Sequence, residues 1–574
     1  MDTVTVNIDG KDVKVPMGST VLEAAKLANI HIPTLCYLKD VQAIGACRMC
    51  VVEVVGSRTL QASCVFPVAE GMVVKTNTPL VRSARKMVLE LLLSDHRMDC
   101  PTCPRNMNCE LQKLAEEMGI REIRYEGEKS TPVVDDSSPA LVRDSSKCIL
   151  CRRCVSVCQN VQEVGVLFNS KRGFESRIGP AFDEPLAAVE CVNCGQCSIV
   201  CPVGAIVERD DTQKVWDALA DPNKYVVVQT APAIRAAIGE EFGLEPGSAI
   251  TGKMAAGLRR LGFDKVFDTQ FAADLTILEE GNELLKRVTE GGTLPMITSC
   301  SPGWVKFAEH FYPDLLPHIS TCKSPQQMFG AVAKTFFAEK VGVKPEDMTV
   351  VSIMPCTAKK YECERGEMFD SGAQDVDIVL TTREAARMIK QAGINPLELE
   401  DEDFDNPLGE STGAATIFAA TGGVMEAALR TVYEVVTKDK LPDIDLVAVR
   451  GMEGVKEATV KVGDLDVKVA IAHGLSNARK LLDKIRAGEA DYHFIEIMCC
   501  PGGCLAGGGQ PIPTDWDTRK KRAEAIYEED KRLTLRKSHD NVSLKKLYEE
   551  FLKEPLGEKS HHLLHTRYTQ RGIK

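Results

Sequence analysis

The sequence predicts a multidomain protein built from α+β and α/β units, and three observations predict it. The chain has 574 residues, more than one hydrophobic core sustains. Fifteen of its 22 cysteines fall in the first 201 residues, at short and regular spacings. After Trp216 the cysteines thin out, and apolar runs alternate with helical patterns as they do in α/β sheets.

The bulk numbers narrow the class. A hydrophobic fraction of 44% and a charged fraction of 26% are ordinary for a globular protein. The net charge of −12 argues against nucleic acid as the main partner. No apolar run is long enough to span a bilayer. The opening MDTVTVNIDGKDVKV alternates like a strand and lacks the charged-then-apolar layout of a signal peptide, so the expected location is cytoplasmic. In a reducing compartment, cysteines at metal-type spacings favour clusters over disulfides.

The elements follow in order. In a first domain, residues 1–80, VTVNI and DVKV read as a hairpin around Asp9-Gly10, and residues 20–28 carry the helical spacing of Val21, Ala24, Ala25 and Leu27. Cys36, Cys47, Cys50 and Cys64 follow as C-x10-C-x2-C-x13-C. Plant-type 2Fe–2S ferredoxins use a shorter first gap; the longer one needs a longer loop, not different chemistry. A structural zinc is the alternative for any four-cysteine set. A helix over 81–94 opens a second domain, 81–122, with His96, Cys100, Cys103 and Cys109 as H-x3-C-x2-C-x5-C. Three cysteines and one histidine can hold zinc, but the position in a series of cluster sites favours a 4Fe–4S centre. A neutral imidazole in place of a thiolate should raise its potential.

A polar linker near 126–138 precedes a third domain, 139–210. It holds Cys148, Cys151, Cys154, Cys158 and then Cys191, Cys194, Cys197, Cys201. Both runs read C-x2-C-x2-C-x3-C, and Pro202 trails the second, as in bacterial ferredoxins. The fourth cysteine of each run normally ligates the other cluster. Cys148, Cys151, Cys154 and Cys201 are therefore expected to hold one 4Fe–4S centre, and Cys191, Cys194, Cys197 and Cys158 the second.

The fourth domain, 220–514, is the α/β part. KYVVVQTAPAI, MTVVSIMPC and DYHFIEIMCCPGGC each read as a buried strand running into a turn of Cys, Pro or Gly. Sites in open α/β sheets lie beyond the carboxyl ends of strands, which places a catalytic site here. Three segments carry its chemistry: Thr298–Trp304 (TSCSPGW), Met354-Pro355-Cys356-x-x-Lys359-x-x-Glu362, and Glu496-x-Met498-Cys499-Cys500-Pro501-Gly502-Gly503-Cys504. Residues 515–574 are charged, helical in pattern over 518–552, and end in HHLLHTRY. That tail is read as a surface helix and coil packed on the α/β domain rather than a metal site.

These three segments, in this order behind this cysteine array, resemble the iron-only (FeFe) hydrogenases, and the resemblance covers essentially the whole chain. It is nearest to the catalytic subunits of NAD(P)-linked multi-subunit enzymes. The resemblance implies a β-grasp 2Fe–2S ferredoxin-like first domain and a 515–574 segment like the iron hydrogenase small subunit. It also implies one 2Fe–2S cluster, three 4Fe–4S clusters, and an H-cluster. The H-cluster is a 4Fe–4S cubane joined to a two-iron unit with carbon monoxide, cyanide and azadithiolate. The implied reaction is the reversible interconversion of H2 with protons and electrons. Cys356, Cys500 and Cys504 fall on cubane ligand positions, with Cys504 on the bridge. Lys359 falls on the residue that donates to cyanide, and Pro232, Gln326, Met354, Phe418 and Met498 on pocket positions. The implied proton relay is Cys300, Glu280, Ser320, Glu283 and Arg287. Glu280 and Glu283 are three apart on a helical pattern and share a face; without the resemblance they read as a solvated acidic face.

Two departures stand out. Relatives carry two adjacent cysteines where this chain has Cys300-Ser301, and serine is a poor partner for an iron–sulfur cluster. Cys300, Ser301 and Cys322 are the candidate fourth ligands, and Cys322 and Cys499 are extra cysteines where relatives often have alanine, candidates to compensate. Ala233 stands where relatives often have a serine near a cyanide. No G-x-G-x-x-G fingerprint follows a strand, so any NAD(P) is expected on a flavin- and nucleotide-binding partner subunit, with ferredoxin as the other electron partner. A hydrogen sensor and a pure electron-transfer subunit are the competing functions.

Overall fold

The computed structural model describes residues 2–463 and 465–572. Strands β1 (Thr3–Ile8) and β2 (Lys11–Pro16) form the expected hairpin, turning at Asp9 and Gly10, both with positive φ (49° and 87°). A two-residue turn of this kind matches the twist of the flanking strands. Val4, Val6 and Ile8 alternate inward against Val21, Ala24 and Ala25 of the helix Val21–Leu27, which opens on a Thr20–Glu23 capping box. With β3 (Val51–Val54), β4 (Gln61–Ala62) and β5 (Val73–Lys75) the sheet order is β2-β1-β5-β3-β4, and β1 and β5 are parallel. A helix over a mixed sheet is the arrangement a β-grasp domain requires.

The helix expected over 81–94 runs Pro79–Asp95, capped by Thr78. A shorter helix, Glu110–Glu117, closes the loop that carries His96 and its three cysteines. The polar stretch 126–138 is not linker throughout. Its second half forms β6 (Val134–Asp135), paired with β7 (Leu141–Asp144), and Asp135 accepts the Leu186 N–H at 2.9 Å. A hairpin of β8 (Phe168–Ser170) and β9 (Arg177–Gly179) and the strand β10 (Ile206–Glu208) complete this region. The two cysteine runs fold alike. Each enters a short helix, Arg153–Ser156 or Gln196–Val200, through a residue in the left-handed region, Arg152 (φ 63°) or Gly195 (φ 68°).

The remaining strands build two four-stranded sheets. In the first, β12 (Lys265–Asp268), β11 (Tyr225–Thr230), β14 (Met348–Met354) and β15 (Ile378–Thr381) lie side by side, all parallel. In the second the order is β13 (Met296–Ile297), β18 (Phe494–Met498), β17 (Leu465–His473) and β16 (Val455–Val462), antiparallel only at the β16–β17 edge. Strands β14 and β18 are buried along their whole length, as parallel strands covered on both faces must be. The 22-residue helix Thr269–Glu290 joins the two cores: Phe271, Ala272 and Leu275 pack in the first, Ala273, Ile277 and Leu284 in the second.

The C-terminal segment is helical, but not continuously over 518–552. Helix Trp516–Arg532 ends before a break, and Val542–Leu547 and Glu558–Leu564 follow. Ile526, Leu544, Leu547, Leu563 and Leu564 are buried, so this segment packs on the α/β region as expected. No helix among the described residues is long and apolar enough to cross a membrane.

Candidate active site and cluster-binding cysteines

The carboxyl ends of four strands, two from each sheet, meet at one cleft. Strand β11 delivers Pro232 and Ala233, β14 delivers Cys356, β13 leads into Cys300 and Ser301, and β18 ends at Cys499 and Cys500. Cys504, Lys359, Gln326, Met354, Phe418 and Met498 complete the walls. Every residue that the sequence assigned to the pocket therefore faces it. The loop after β18 depends on glycine: Gly503 has φ 87°, and a Cβ there would stand 2.7 Å from the Thr421 nitrogen.

One polar edge interrupts the apolar wall. Lys359 Nζ donates to Glu362 Oε2 (2.8 Å) and to the Cys300 carbonyl (3.2 Å). The same Glu362 oxygen accepts from Ser324 Oγ (2.8 Å) and Gln326 Nε2 (3.1 Å), and Gln326 Oε1 accepts from Ser352 Oγ (3.0 Å). The ammonium is thus held by a buried counter-charge and aimed along the cleft wall, a charge-assisted donor in a dry site. The sequence motif alone gives Glu362 no role, although its spacing of three from Lys359 on a helix puts the two on one face.

From Cys300 a file of polar groups leads outward. Glu280 is 2% exposed, and its Oε1 has no hydrogen-bond partner in the structure. Burial pushes its carboxyl up to about 8, with the Glu283 charge adding to it and the Ser320 hydroxyl opposing. Ser320 Oγ donates to Glu283 Oε2 (2.8 Å), and Arg287 Nη2 donates to Glu283 Oε1 (2.6 Å). Arg287 is half-buried at the surface end, where its other nitrogen donates to the Pro317 carbonyl (3.1 Å). Burial and the Glu280 carboxylate together hold the Cys300 thiol well above its usual range. The two acids do share a helix face, but it is interior, not the solvated face that composition alone suggested.

Cys322 lies away from the cleft. Its Sγ points at Glu283 Oε2 (3.9 Å), its carbonyl accepts from Ser299 Oγ (2.6 Å), and it forms an isolated bridge with His565 of the C-terminal segment. Of the three candidate fourth ligands, only Cys300 and Ser301 line the cavity. The other extra cysteine, Cys499, does line it. Its N–H donates to Ser301 Oγ (3.2 Å), and its thiol lies beside Gly303, with Cys500 and Cys194 as neighbouring thiols.

In the front part the cysteines group as their spacings suggested. Cys148, Cys151, Cys154 and Cys201 line one cavity, and Cys158, Cys191, Cys194 and Cys197 another. The fourth cysteine of each run has crossed to the other set. Cys36 and Cys47 pair through an N–H to sulfur contact of 3.5 Å, and Cys50 and Cys64 through a sulfur–sulfur contact of 3.3 Å. His96, Cys100 and Cys109 line a common groove, the buried His96 Nδ1 has no partner in the structure, and Cys103 Sγ lies against Gly204.

Hydrogen bonds join these sites to one another. Gln42 Nε2 donates to the carbonyls of Cys36 (2.6 Å) and Cys151 (2.9 Å). The His96 loop donates from Arg97 N to the Ser146 carbonyl (2.9 Å), and Glu110 N to the Pro202 carbonyl (2.9 Å). Thr357 Oγ1, next to Cys356, donates to the Asn193 carbonyl (2.7 Å), and Gln196 Nε2 to the Ala506 carbonyl (2.8 Å).

A train of thiol-lined sites ending in a buried cleft at converging strand ends defines a multi-cluster oxidoreductase. Residues 224–508 match the family described as the iron only hydrogenase large subunit, C-terminal domain, and 516–571 the iron hydrogenase small subunit. Residues 1–79 match a 2Fe-2S iron-sulfur cluster binding domain, 85–124 the NADH-ubiquinone oxidoreductase-G iron-sulfur binding region, and 144–205 a 4Fe-4S dicluster domain. The chain is 55% identical to the NADP-reducing hydrogenase subunit HndD of Solidesulfovibrio fructosivorans, covering 100% of both chains. It is 41% identical to iron hydrogenase 1 of Clostridium pasteurianum, over 98% of this chain and 99% of that one. Among solved structures, the apo [FeFe]-hydrogenase HydA1 from Chlamydomonas reinhardtii superposes with a TM-score of 0.58 at 46% identity, covering 64% of this chain and all (100%) of that one. The chain belongs to the iron-only (FeFe) hydrogenases. It is a catalytic subunit acting on H2, with 2Fe–2S and 4Fe–4S clusters relaying electrons.

Proposed function

We propose that the cleft holds the H-cluster, with Cys356, Cys500 and Cys504 as thiolate ligands of its cubane and Cys504 as the bridge to the two-iron unit. The observation that carries this reading is the meeting of these three sulfurs and the Lys359 ammonium in one apolar cleft. The donor set suits the group: soft sulfur for iron, and glycine backbone at Gly503 and Gly507 that can lie close to an inorganic surface. When bound, the H-cluster supplies the metal centre at which H2 is cleaved or formed.

The chain's own residues then have distinct tasks. Lys359 would offer a charge-assisted donor to an anionic diatomic ligand, and Glu362 orients it. Met354, Met498, Phe418 and Pro232 exclude water, and Gln326 fixes the wall beside Lys359. Ala233 offers no hydroxyl to the site. Cys300 would hold a proton at its thiol beside the bound group and hand it on toward Glu280; Ser320 and Glu283 would lead it outward, with Arg287 holding the Glu283 carboxylate at the surface end. A thiol and a carboxyl that both stay protonated near neutrality suit that work.

On the electron side, the reading assigns a 2Fe–2S cluster to Cys36, Cys47, Cys50 and Cys64. A 4Fe–4S cluster goes to His96, Cys100, Cys103 and Cys109, and two more go to the crossed ferredoxin-type sets, within domains 1–80, 81–122 and 139–210. The catalytic domain is 220–514, with 515–574 as its packed C-terminal segment. The likeness to an NADP-reducing hydrogenase subunit supports a complex in which a flavin- and NAD(P)-binding partner, or ferredoxin, exchanges electrons with the front clusters, and the reading places it in the cytoplasm. The test is to install the two-iron unit and record H2 evolution with infrared CO and CN bands; an iron-loaded sample with neither refutes the assignment.

A further inference from the structure

Three cysteines cannot close a cubane, which needs four ligands. The residue after Cys300 is a serine, whose alkoxide is a hard and very basic ligand. The structure narrows where the fourth sulfur comes from. Cys322 is excluded by direction: its thiol faces the Glu283 carboxylate, behind Ser320, and it lines no part of the cleft. Cys300 is the first group of the outward polar file, beside Glu280 and with its carbonyl held by Lys359. Cys499 remains. It stands in the cleft wall next to Cys500, and its backbone N–H is fixed by the hydroxyl of Ser301 itself (3.2 Å).

Resting on the H-cluster reading above, we propose that Cys499 supplies the cubane's fourth thiolate in place of residue 301, and that Ser301 serves as its positioning partner. Positions 301 and 499 touch through the Cys499 N–H and Ser301 Oγ, so the two residues stand together in the cleft wall beside Cys500. The local packing favours this. A Cβ on Gly303 would lie 2.8 Å from Cys499 Sγ, so the bare backbone of the Ser301–Gly303 turn makes the room that the thiol occupies. On binding, the thiol gives its proton to solvent and its sulfur lone pair to iron, with no change of oxidation state. A consequence follows for electron flow. Cys499 also neighbours Cys194, a member of the second ferredoxin-type set, so a cubane ligand and a relay-cluster ligand would stand near one another.

The test uses the full chain with its cubanes reconstituted but without the two-iron unit. Iron, acid-labile sulfide and the electron paramagnetic resonance of each cluster are measured. Cys499→Ala should lose the iron and sulfide of one cubane and its signal while the front-cluster signals persist, which shows the chain is folded. Cys322→Ala should keep the full complement. Placing Ser301→Cys in the Cys499→Ala background should restore the lost cubane. Full iron in Cys499→Ala overturns the proposal, as does failure of Ser301→Cys to restore it with the front clusters intact. The infrared bands of the matured wild-type protein test the H-cluster reading separately.

Discussion

Glu280→Gln changes one oxygen to an amide and removes a group that can carry a proton, so it separates two roles of the buried carboxyl. The first role is kinetic. A positioned acid or base contributes about 10²- to 10⁴-fold to a proton-transfer step. Dye-driven H2 turnover should fall by about that factor while the infrared bands of the assembled site stay in place. The second role is thermodynamic. The carboxyl is raised from 4.5 in the unfolded chain to about 8 in the fold. Between those values the folded state binds more protons than the unfolded one, so stability falls as pH rises through that window. At 1.36 kcal/mol per unit, the full penalty above pH 8 is about 5 kcal/mol, an order-of-magnitude figure. Glutamine never ionises and escapes it. The variant should therefore lose less apparent melting temperature than the wild type between pH 6 and 9, measured on identically loaded protein. Retention of more than about a tenth of the turnover would refute the relay assignment. An unchanged pH dependence of melting would refute the burial argument.

Two further outcomes follow from the same geometry. His96→Cys replaces a neutral ligand with an anionic one and should lower the potential of that cluster, seen in a redox titration by paramagnetic resonance; a potential that stays put removes His96 from the ligand set. Gly508→Ala would bring a Cβ within 2.6 Å of the Cys194 carbonyl and 2.8 Å of Thr357 Oγ1, wedging the ferredoxin-type region off the catalytic one. H2 oxidation coupled to an acceptor at the front clusters should slow while the infrared bands persist, and equal rates would show that electrons do not pass there.

What was legible in the sequence was what is local. The two cysteine runs announce their crossed pairing because each packs three ligands into one turn, and the strand ends announce the cleft because buried parallel strands are continuous apolar runs. The acid pair was harder. Glu280 and Glu283 sit on a helix of ordinary composition, and they become interior because distant segments cover Thr269–Glu290: Ser320 and Thr321 meet Glu283, and the C-terminal segment packs on the same helix. There Tyr548 Oη (2.5 Å), His565 Nε2 (3.1 Å) and the Ser560 hydroxyl meet the neighbouring Glu279. The direction of Cys322 was likewise set by its bridge to His565, far along the chain, and the neighbouring Cys499 and Cys194 belong to segments that only the tertiary fold brings together.

The Gln42 amide has a meaning beyond holding two loops. Both front sites, the four-cysteine set through Gln42 and the His96 set through Ser146 and Pro202, abut the same ferredoxin-type site. The relay is then a fork, not a line. A line of carriers fails when any member is lost; a fork with two arms keeps conducting through the other. Two currents of different driving force can also merge at the shared junction before they reach the cleft, so the identity of the electron partner becomes a property of the arm it docks on and leaves the catalytic end unchanged.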